Sequence, residues 1–374
     1  MVDLKGQYDK IKVEVNLAIQ DVIDNTTFIN GPQVKQFASN LREYLNVESV
    51  IPCANGTDAL QIALMALNLR PGDEVIVPCF TYVATAEVIA LLKLKPVLVE
   101  VDPETFNITA EIFEKAITSK TKVVVPVHLF GQCTDMEPII ELAKRFNIFI
   151  VEDTAQAIGA DYTFSDGTVR KAGTMGDIGC TSFFPSKNLG CYGDGGALFT
   201  NNSQLASTIT KIANHGQSKK YHHELIGINS RLDSIQAAIL GVKLKYLEDY
   251  SASRNQVASF YDKEFCDVTW LNIPKRQTNS SHVFHQYTLK LRSDIDREKL
   301  IKFLFEHDIP SMVYYPIPLH MQQAYRSDEL PEGSFPISEA LCKTVISLPI
   351  HTEMTEEQII HICTVLKSFK NDQK

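Results

Sequence analysis

The chain has 374 residues, 44% hydrophobic and 22% charged, with 36 Lys and Arg against 45 Asp and Glu for a formal net charge of -9. That composition excludes disordered, collagenous and disulfide-scaffold proteins, and the acidic balance argues against nucleic acid or an anionic membrane as partner. The eight cysteines make no C-x-x-C pair, the N-terminus has no apolar leader, and no run reaches the ~20 apolar residues of a bilayer span, so a reduced, soluble, cytoplasmic protein is expected.

An N-terminal helix over residues 7–24 precedes a regular alternation of β-branched runs and helical patterns. Strands are predicted at 49–53, 74–79, 96–101, 122–127 and 148–152, with helices at 57–67, 84–94, 109–117 and 136–146 between them. The strands are nearly continuous apolar runs, as expected where helices cover both faces of a mainly parallel sheet. Right-handed crossovers are then the natural connection. After Asp153 the rhythm changes: a hairpin around Ser165-Asp166-Gly167, strands at 178–184 and 197–200, and a long connector helix over 232–250.

Beyond the connector come a strand at 284–291, a helix at 297–306, a strand at 312–315 and a last helix opened by the capping-box pattern Thr355-Glu356-Glu357-Gln358. The expected organisation is an N-terminal helix (1–24) packing with the small domain, a large α/β domain (25–249) and a small α+β domain (250–374).

No G-x-G-x-x-G follows a strand and no P-loop is present, so dinucleotide and nucleoside-triphosphate readings lose their support. His222-His223-Glu224 is not read as a metal site, because adjacent side chains diverge and no H-E-x-x-H follows. Four other positions form a set. Asn55-Gly56-Thr57-Asp58 opens a helix after a strand, which suits a phosphate but is also an ordinary capped turn. Asp153 ends a buried strand with Gln156 three residues on, where a carboxylate can bond a protonated ring nitrogen or merely cap a helix. Lys187 follows Ser182-Phe183-Phe184-Pro185-Ser186, a setting that favours a desolvated, nucleophilic amine. Asn229-Ser230-Arg231 precedes the connector helix and offers an amide and a guanidinium, or a structural Arg231–Asp233 pair. A phosphate cradle, a ring-nitrogen carboxylate and a Schiff-base lysine in that order describe a pyridoxal 5'-phosphate (PLP) site.

With Phe28-Ile29-Asn30-Gly31-Pro32, Asn55-Gly56-Thr57, Phe80-Thr81-Tyr82, Glu152-Asp153-Thr154-Ala155-Gln156, Ser182 to Lys187, Asn229-Ser230-Arg231 and Tyr315-Pro316-Ile317-Pro318-Leu319-His320, the sequence resembles the DegT/DnrJ/EryC1/StrS nucleotide-sugar aminotransferases over essentially its whole length. The resemblance implies a fold-type-I PLP aminotransferase. It implies that Lys187 binds the cofactor covalently, Asp153 holds the pyridine nitrogen protonated, Gln156 bonds the ring hydroxyl and Tyr82 stacks on the ring. Gly56, Thr57 and Ser182 are implied to bind the phosphate, with Asn229 reaching it from a second subunit of a homodimer. Arg231, Tyr314, Tyr315 and His320 are implied to face the sugar nucleotide. A related branch that dehydrates sugars carries His in place of the lysine, so Lys187 points to amination.

The stretches His215 to His223 and Cys191-Tyr192-Gly193-Asp194-Gly195-Gly196 look most like members that aminate C3 of UDP-2-acetamido-3-keto sugars, often uronic acids, for bacterial O-antigen. L-glutamate is the implied amino donor. Amination at C4 of a UDP- or dTDP-sugar is the alternative, and a non-catalytic regulator or scaffold with the same fold is the remote one.

Overall fold

The computed structural model describes residues 1–370. They open with helices α1 (Leu4–Asp24) and α2 (Pro32–Leu45). Next come β1 (Ser49–Cys53), α3 (Gly56–Ala66), β2 (Glu74–Pro78), α4 (Ala84–Leu91), β3 (Lys95–Val99), α5 (Ala110–Ala116), β4 (Thr121–Val124), α6 (Met136–Phe146) and β5 (Phe149–Asp153). A hairpin of β6 (Asp161–Thr163) and β7 (Val169–Lys171) leads to β8 (Ile178–Ser182), β9 (Gly196–Thr200) and α7 (Ser203–Ala213). A second hairpin, β10 (Gln217–Lys219) and β11 (His222–His223), precedes α8 (Ser234–Leu244) and α9 (Leu247–Phe265). The C-terminal part adds β12 (Leu271–Asn272), β13 (Tyr287–Leu291), α10 (Arg297–Glu306), α11 (Pro336–Thr344), β14 (Val345–Leu348) and α12 (Glu356–Ser368).

Seven strands form one sheet in the order β1-β9-β8-β5-β4-β2-β3. The pairs from β8 to β3 are parallel, and β9 runs antiparallel to both of its neighbours. Successive residues of the central strands feed opposite cores. Ile76, Val124 and Ile150 pack on one side with Phe113, Met136 and Ile139, while Val75, Val123 and Val151 pack on the other with Leu60, Ile62 and Ile209. Both faces are thus apolar, and each such side chain contributes about 1.5–3 kcal/mol of burial. This is the mainly parallel mixed sheet expected from the sequence.

The smaller sheet, β12-β13-β14, is antiparallel and packs with α9, α10 and α12. Helix α9 serves both cores: Leu247 lies with Phe37 of α2 and with Ala197 and Phe199 of the large sheet, and Val257, Tyr261 and Phe265 lie with Leu289 and Ile346 of the small one. The last helix carries the expected capping box, with Thr355 and Gln358 bonded reciprocally.

The connector and the strand at 312–315 differ from the sequence expectations, while α1 contacts both parts of the chain. The apolar face of α1, Ile11 and Val15, packs on Ile239 and Val242 of α8, and its polar contacts to the C-terminal part include the Lys10–Glu353 ion pair and Gln7 to Thr352. The connector expected as one helix divides between α8 and α9, where the N–H groups of Lys245 and Tyr246 bond the carbonyls of Val242 and Lys243 in a tightened turn. The segment expected as a strand at 312–315 pairs only at Met312, opposite Ser347. Pro316 and Pro318 follow and remove the donors a longer ladder needs.

Candidate active site

The carboxyl ends of β1, β2, β4, β5 and β8 open onto a cavity of about 720 Å³, closed on one side by Tyr314, Tyr315, His285 and Gln286 from the C-terminal part. At one end stands the first turn of α3. The Asn55 side chain caps this helix by accepting from the Asp58 N–H at 2.8 Å, so Gly56 and Thr57 are the residues presented to a ligand at its positive end. Glycine is required here by space. A Cβ on Gly56 would lie 2.7 Å from Ser182 Cβ, and a Cβ on Gly196 would lie 2.4 Å from the Asn55 carbonyl. The Ser182 Oγ accepts from the Phe184 N–H at 3.3 Å, which leaves the serine proton to donate to an anion.

At the other end, the Asp153 carboxylate is buried and held from both oxygens. Thr85 Oγ1 donates to one at 3.0 Å and the Ala155 N–H to the other at 3.1 Å. Gln156 is equally fixed. Its Oε1 accepts from the Phe130 N–H at 2.9 Å and its Nε2 donates to the Tyr315 hydroxyl at 3.0 Å, leaving one amide hydrogen for a further acceptor. The turn that supplies Phe130 depends on Gly131, whose φ of 112° is one that side chains rarely adopt and where a Cβ would lie 2.9 Å from His285 N. Tyr82 is 58% exposed at the cavity mouth, with its ring 6.1 Å from that of Tyr315.

Lys187 lines the same cavity, on the turn after β8 where its N–H bonds the Phe184 carbonyl at 2.8 Å. Desolvation pushes its ammonium pKa down to about 8, opposed by the Asp153 carboxylate, which raises it. An anion cradle, an amine and a supported carboxylate gathered in one cavity fit the phosphate, aldehyde and pyridine nitrogen of PLP.

The cavity therefore gathers Gly56, Thr57, Tyr82, Asp153, Gln156, Ser182, Lys187, Tyr314 and Tyr315. Asn229 and Arg231 do not line it. Asn229 is exposed, on a segment tied to the α3 loop by Ser230 Oγ, which accepts from the Ala54 N–H at 3.0 Å. His320, expected at the sugar nucleotide, is fully buried, with Nδ1 3.2 Å from Cys79 Sγ and Nε2 3.0 Å from Glu339, and does not line the cavity. Sequence reasoning missed Thr85, Asp194, His285 and Gln286, which line or support the cavity. Only Thr85, three residues after the expected Tyr82, carried a local signal.

A model of the DegT/DnrJ/EryC1/StrS aminotransferase family matches residues 9–367. The chain belongs to that family. It is 43% identical to the UDP-2-acetamido-2-deoxy-3-oxo-D-glucuronate aminotransferase of Pseudomonas aeruginosa, over 98% of each chain. It is 42% identical to the pleiotropic regulatory protein of Geobacillus stearothermophilus, over 99% of this chain and 98% of the relative. It is 39% identical to the UDP-N-acetyl-3-dehydro-alpha-D-glucosamine 3-aminotransferase of Acidithiobacillus ferrooxidans, over 98% of this chain and 96% of the relative. Among solved structures it resembles NtdA of Bacillus subtilis with bound cofactor PMP, at a TM-score of 0.87 and 31% identity, covering 96% of this chain and 81% of that one. This aminotransferase uses PLP. No helix among the described residues is long and apolar enough to cross a membrane.

Proposed function

We propose that this aminotransferase transfers the amino group of L-glutamate to C3 of a UDP-linked 2-acetamido-3-keto sugar, of which a uronic acid is one form, for bacterial O-antigen or another surface polysaccharide. The observation that carries this reading is Lys187 in its cavity, on a chain 43% identical to a relative named for a UDP-linked 3-oxo sugar. When bound, PLP supplies an electron-withdrawing ring that stabilises negative charge at the carbon losing its proton.

The chain's residues supply the rest. Asp153, oriented by Thr85 and Ala155, bonds the pyridine nitrogen and keeps it protonated. Gln156 would turn its remaining amide hydrogen to the ring hydroxyl, and the exposed ring of Tyr82 would stack on the cofactor. Gly56, Thr57 and Ser182 hold the phosphate. Lys187, with a pKa of about 8, has an appreciable neutral fraction near pH 7.5, and its amine would take up and return the proton of the substrate carbon. Tyr314 and Tyr315 face the sugar.

The working unit in this reading is a homodimer in the cytoplasm. Asn229 and Arg231 lie outside their own chain's cavity, on a surface that also exposes Tyr221 and Ile226, the latter 87% exposed. A second subunit packed there brings the partner subunit's Asn229 to the phosphate and its guanidinium to the anionic substrate. Mixed dimers of Lys187→Ala and Asn229→Ala chains are then expected to regain activity at one site, and no recovery in proven heterodimers would overturn the shared site.

The deciding experiment is a single-turnover assay of the pyridoxamine form with a panel of UDP- and dTDP-linked 3-keto and 4-keto sugars. UDP-3-keto sugars are expected to restore the aldehyde cofactor, and turnover of 4-keto sugars alone would move the reaction to C4. The relative named as a regulatory protein favours one other reading, a regulator. A visible cofactor band that disappears in Lys187→Ala separates the two.

A further inference from the structure

Asn107 and His128 do not line the cavity, yet both are built around the turn that carries Phe130. Phe130 stands at φ 59°, in the left-handed region, and a non-glycine residue keeps such a conformation only where its surroundings hold it. One holder is Asn107, which is buried. Its Oδ1 accepts from the Leu129 N–H at 3.1 Å and its Nδ2 donates to the Gln132 carbonyl at 3.2 Å, so one amide grips the turn on both sides of Phe130. The neighbouring ring of Phe106 meets that of Phe130 edge-on at 5.3 Å. The other holder is His128, also buried. The Thr134 N–H donates to its Nδ1 at 3.0 Å and closes the turn, while its Nε2 lies 2.8 Å from the Glu152 carboxylate. A backbone N–H can only donate, so Nδ1 bears the lone pair and the ring hydrogen sits on Nε2, bonded to Glu152.

We propose that Asn107 and His128 are positioning residues for Gln156, acting through the Phe130 N–H that donates to the Gln156 Oε1 at 2.9 Å. Every link is a hydrogen bond or a peptide bond. Asn107 holds Leu129, Leu129 leads to Phe130, and the Phe130 N–H holds the glutamine oxygen. His128 fixes the start of the same turn, its own N–H bonded to the Asp153 carbonyl at 3.0 Å. The direction of the glutamine amide is what this clamp decides. An amide turned end for end would set its NH2 group against the Phe130 N–H, donor against donor. With the oxygen on Phe130 and one hydrogen on the Tyr315 hydroxyl at 3.0 Å, the remaining hydrogen has one direction left. Released from the clamp, Phe130 leaves the left-handed region, its N–H swings away, and the amide loses the contact that orders it.

The inference rests on the role of Gln156 proposed above, and the test separates the two. Full-length wild type, Asn107→Ala, Gln156→Ala and the double variant, all loaded with PLP, are compared in the single-turnover reaction with L-glutamate. Gln156→Ala at the wild-type rate would overturn the role of Gln156 itself. With Gln156→Ala slowed, Asn107→Ala is expected to slow the reaction by about tenfold at an unchanged half-saturating concentration. Added to Gln156→Ala, the same substitution is expected to cost less than about twofold, because its route to the cofactor is already gone. His128→Gln, which can still donate to Glu152 but withdraws the acceptor from Thr134, is expected to show the same coupling. A loss undiminished in the Gln156→Ala background, or Asn107→Ala at the wild-type rate, would overturn the proposal and leave the role of Gln156 standing. Nitrogen-15 NMR of histidine-labelled wild type needs no variant to fold. It is expected to show the Nε2–H tautomer for a buried histidine bonded to a carboxylate, and an Nδ1–H tautomer at His128 would break the turn closure on which the proposal depends.

Discussion

Gly56 rests so close to Ser182 that a Cβ on the glycine would lie 2.7 Å from that of the serine. This contact joins the first turn of α3 to the end of β8, and the proposed phosphate cradle requires the two to stay together. Gly56→Ala is expected to force them apart, weakening PLP binding by about tenfold or more and costing about 1–3 kcal/mol of stability. Equilibrium dialysis and a thermal melt of cofactor-free protein measure the two effects. Unchanged affinity would mean the loop absorbs the extra carbon.

Lys187 carries a pH signature. Its folded pKa of about 8 lies below the ordinary lysine value of 10.5, so the unfolded chain binds the extra proton between those limits. The burial penalty is complete below pH 8 and fades as pH rises toward 10.5. Cofactor-free Lys187→Met is therefore expected to melt higher than wild type at pH 7, with a smaller gap at pH 10. A gap independent of pH would locate the effect in packing and not in charge.

Thr85 touches only one oxygen of Asp153, and that contact is testable. Thr85→Val keeps the shape and removes the donor. A hydrogen bond to a charged group is worth about 1.5–3 kcal/mol, so a fall of at least about tenfold in the glutamate half-reaction is expected with PLP still bound. Single-turnover absorbance measures it, and a wild-type rate would mean that Ala155 alone orients the carboxylate.

The Gln156–Tyr315 hydrogen bond crosses from the end of β5 to the C-terminal part. Tyr315→Phe removes the acceptor for Gln156 and is expected to cost about 0.5–1.5 kcal/mol in stability. If the bond accounts for the loss, Tyr315→Phe adds little to Gln156→Ala in a double-mutant cycle. Fully additive losses would separate the two side chains.

His320 gives the opposite kind of prediction. Held between Cys79 and Glu339 with no exposure, it is expected to act on the fold. His320→Ala is expected to lower stability by about 2–4 kcal/mol and leave the KM for the nucleotide sugar unchanged. A raised KM at unchanged melting temperature would place the imidazole at the substrate.

How far the sequence was legible depended on whether the deciding contact was local. Met136–Phe146 and Ser49–Cys53 were bounded correctly because apolar spacing and flanking turn residues coincide there. Asp153, Lys187 and the Gly56 turn were readable because strand ends carry them. The helices Pro32–Leu45 and Ser203–Ala213 were not anticipated, though the first begins with proline and the second with an Asn202 cap. Both lie where the strand–helix alternation is interrupted. His320 and His285 were illegible for a deeper reason. One is surrounded by Cys79 and Glu339 and the other by Asn188 and Gly131, all distant in the chain, so burial or cavity placement could not follow from neighbouring letters.

The end of β5 places two carboxylates side by side with opposite duties. Glu152 is fully buried and accepts from His128 and from the N–H groups of Gly173, Met175 and Gly176, while Asp153 faces the cavity. Because neighbouring strand residues point to opposite faces, sliding β5 by one position would exchange the anchor of the 173–176 loop with the carboxylate that lines the cavity. Assembly of the sheet and assembly of the catalyst are thus a single event: a chain that has mispaired this strand has no partially working site to offer.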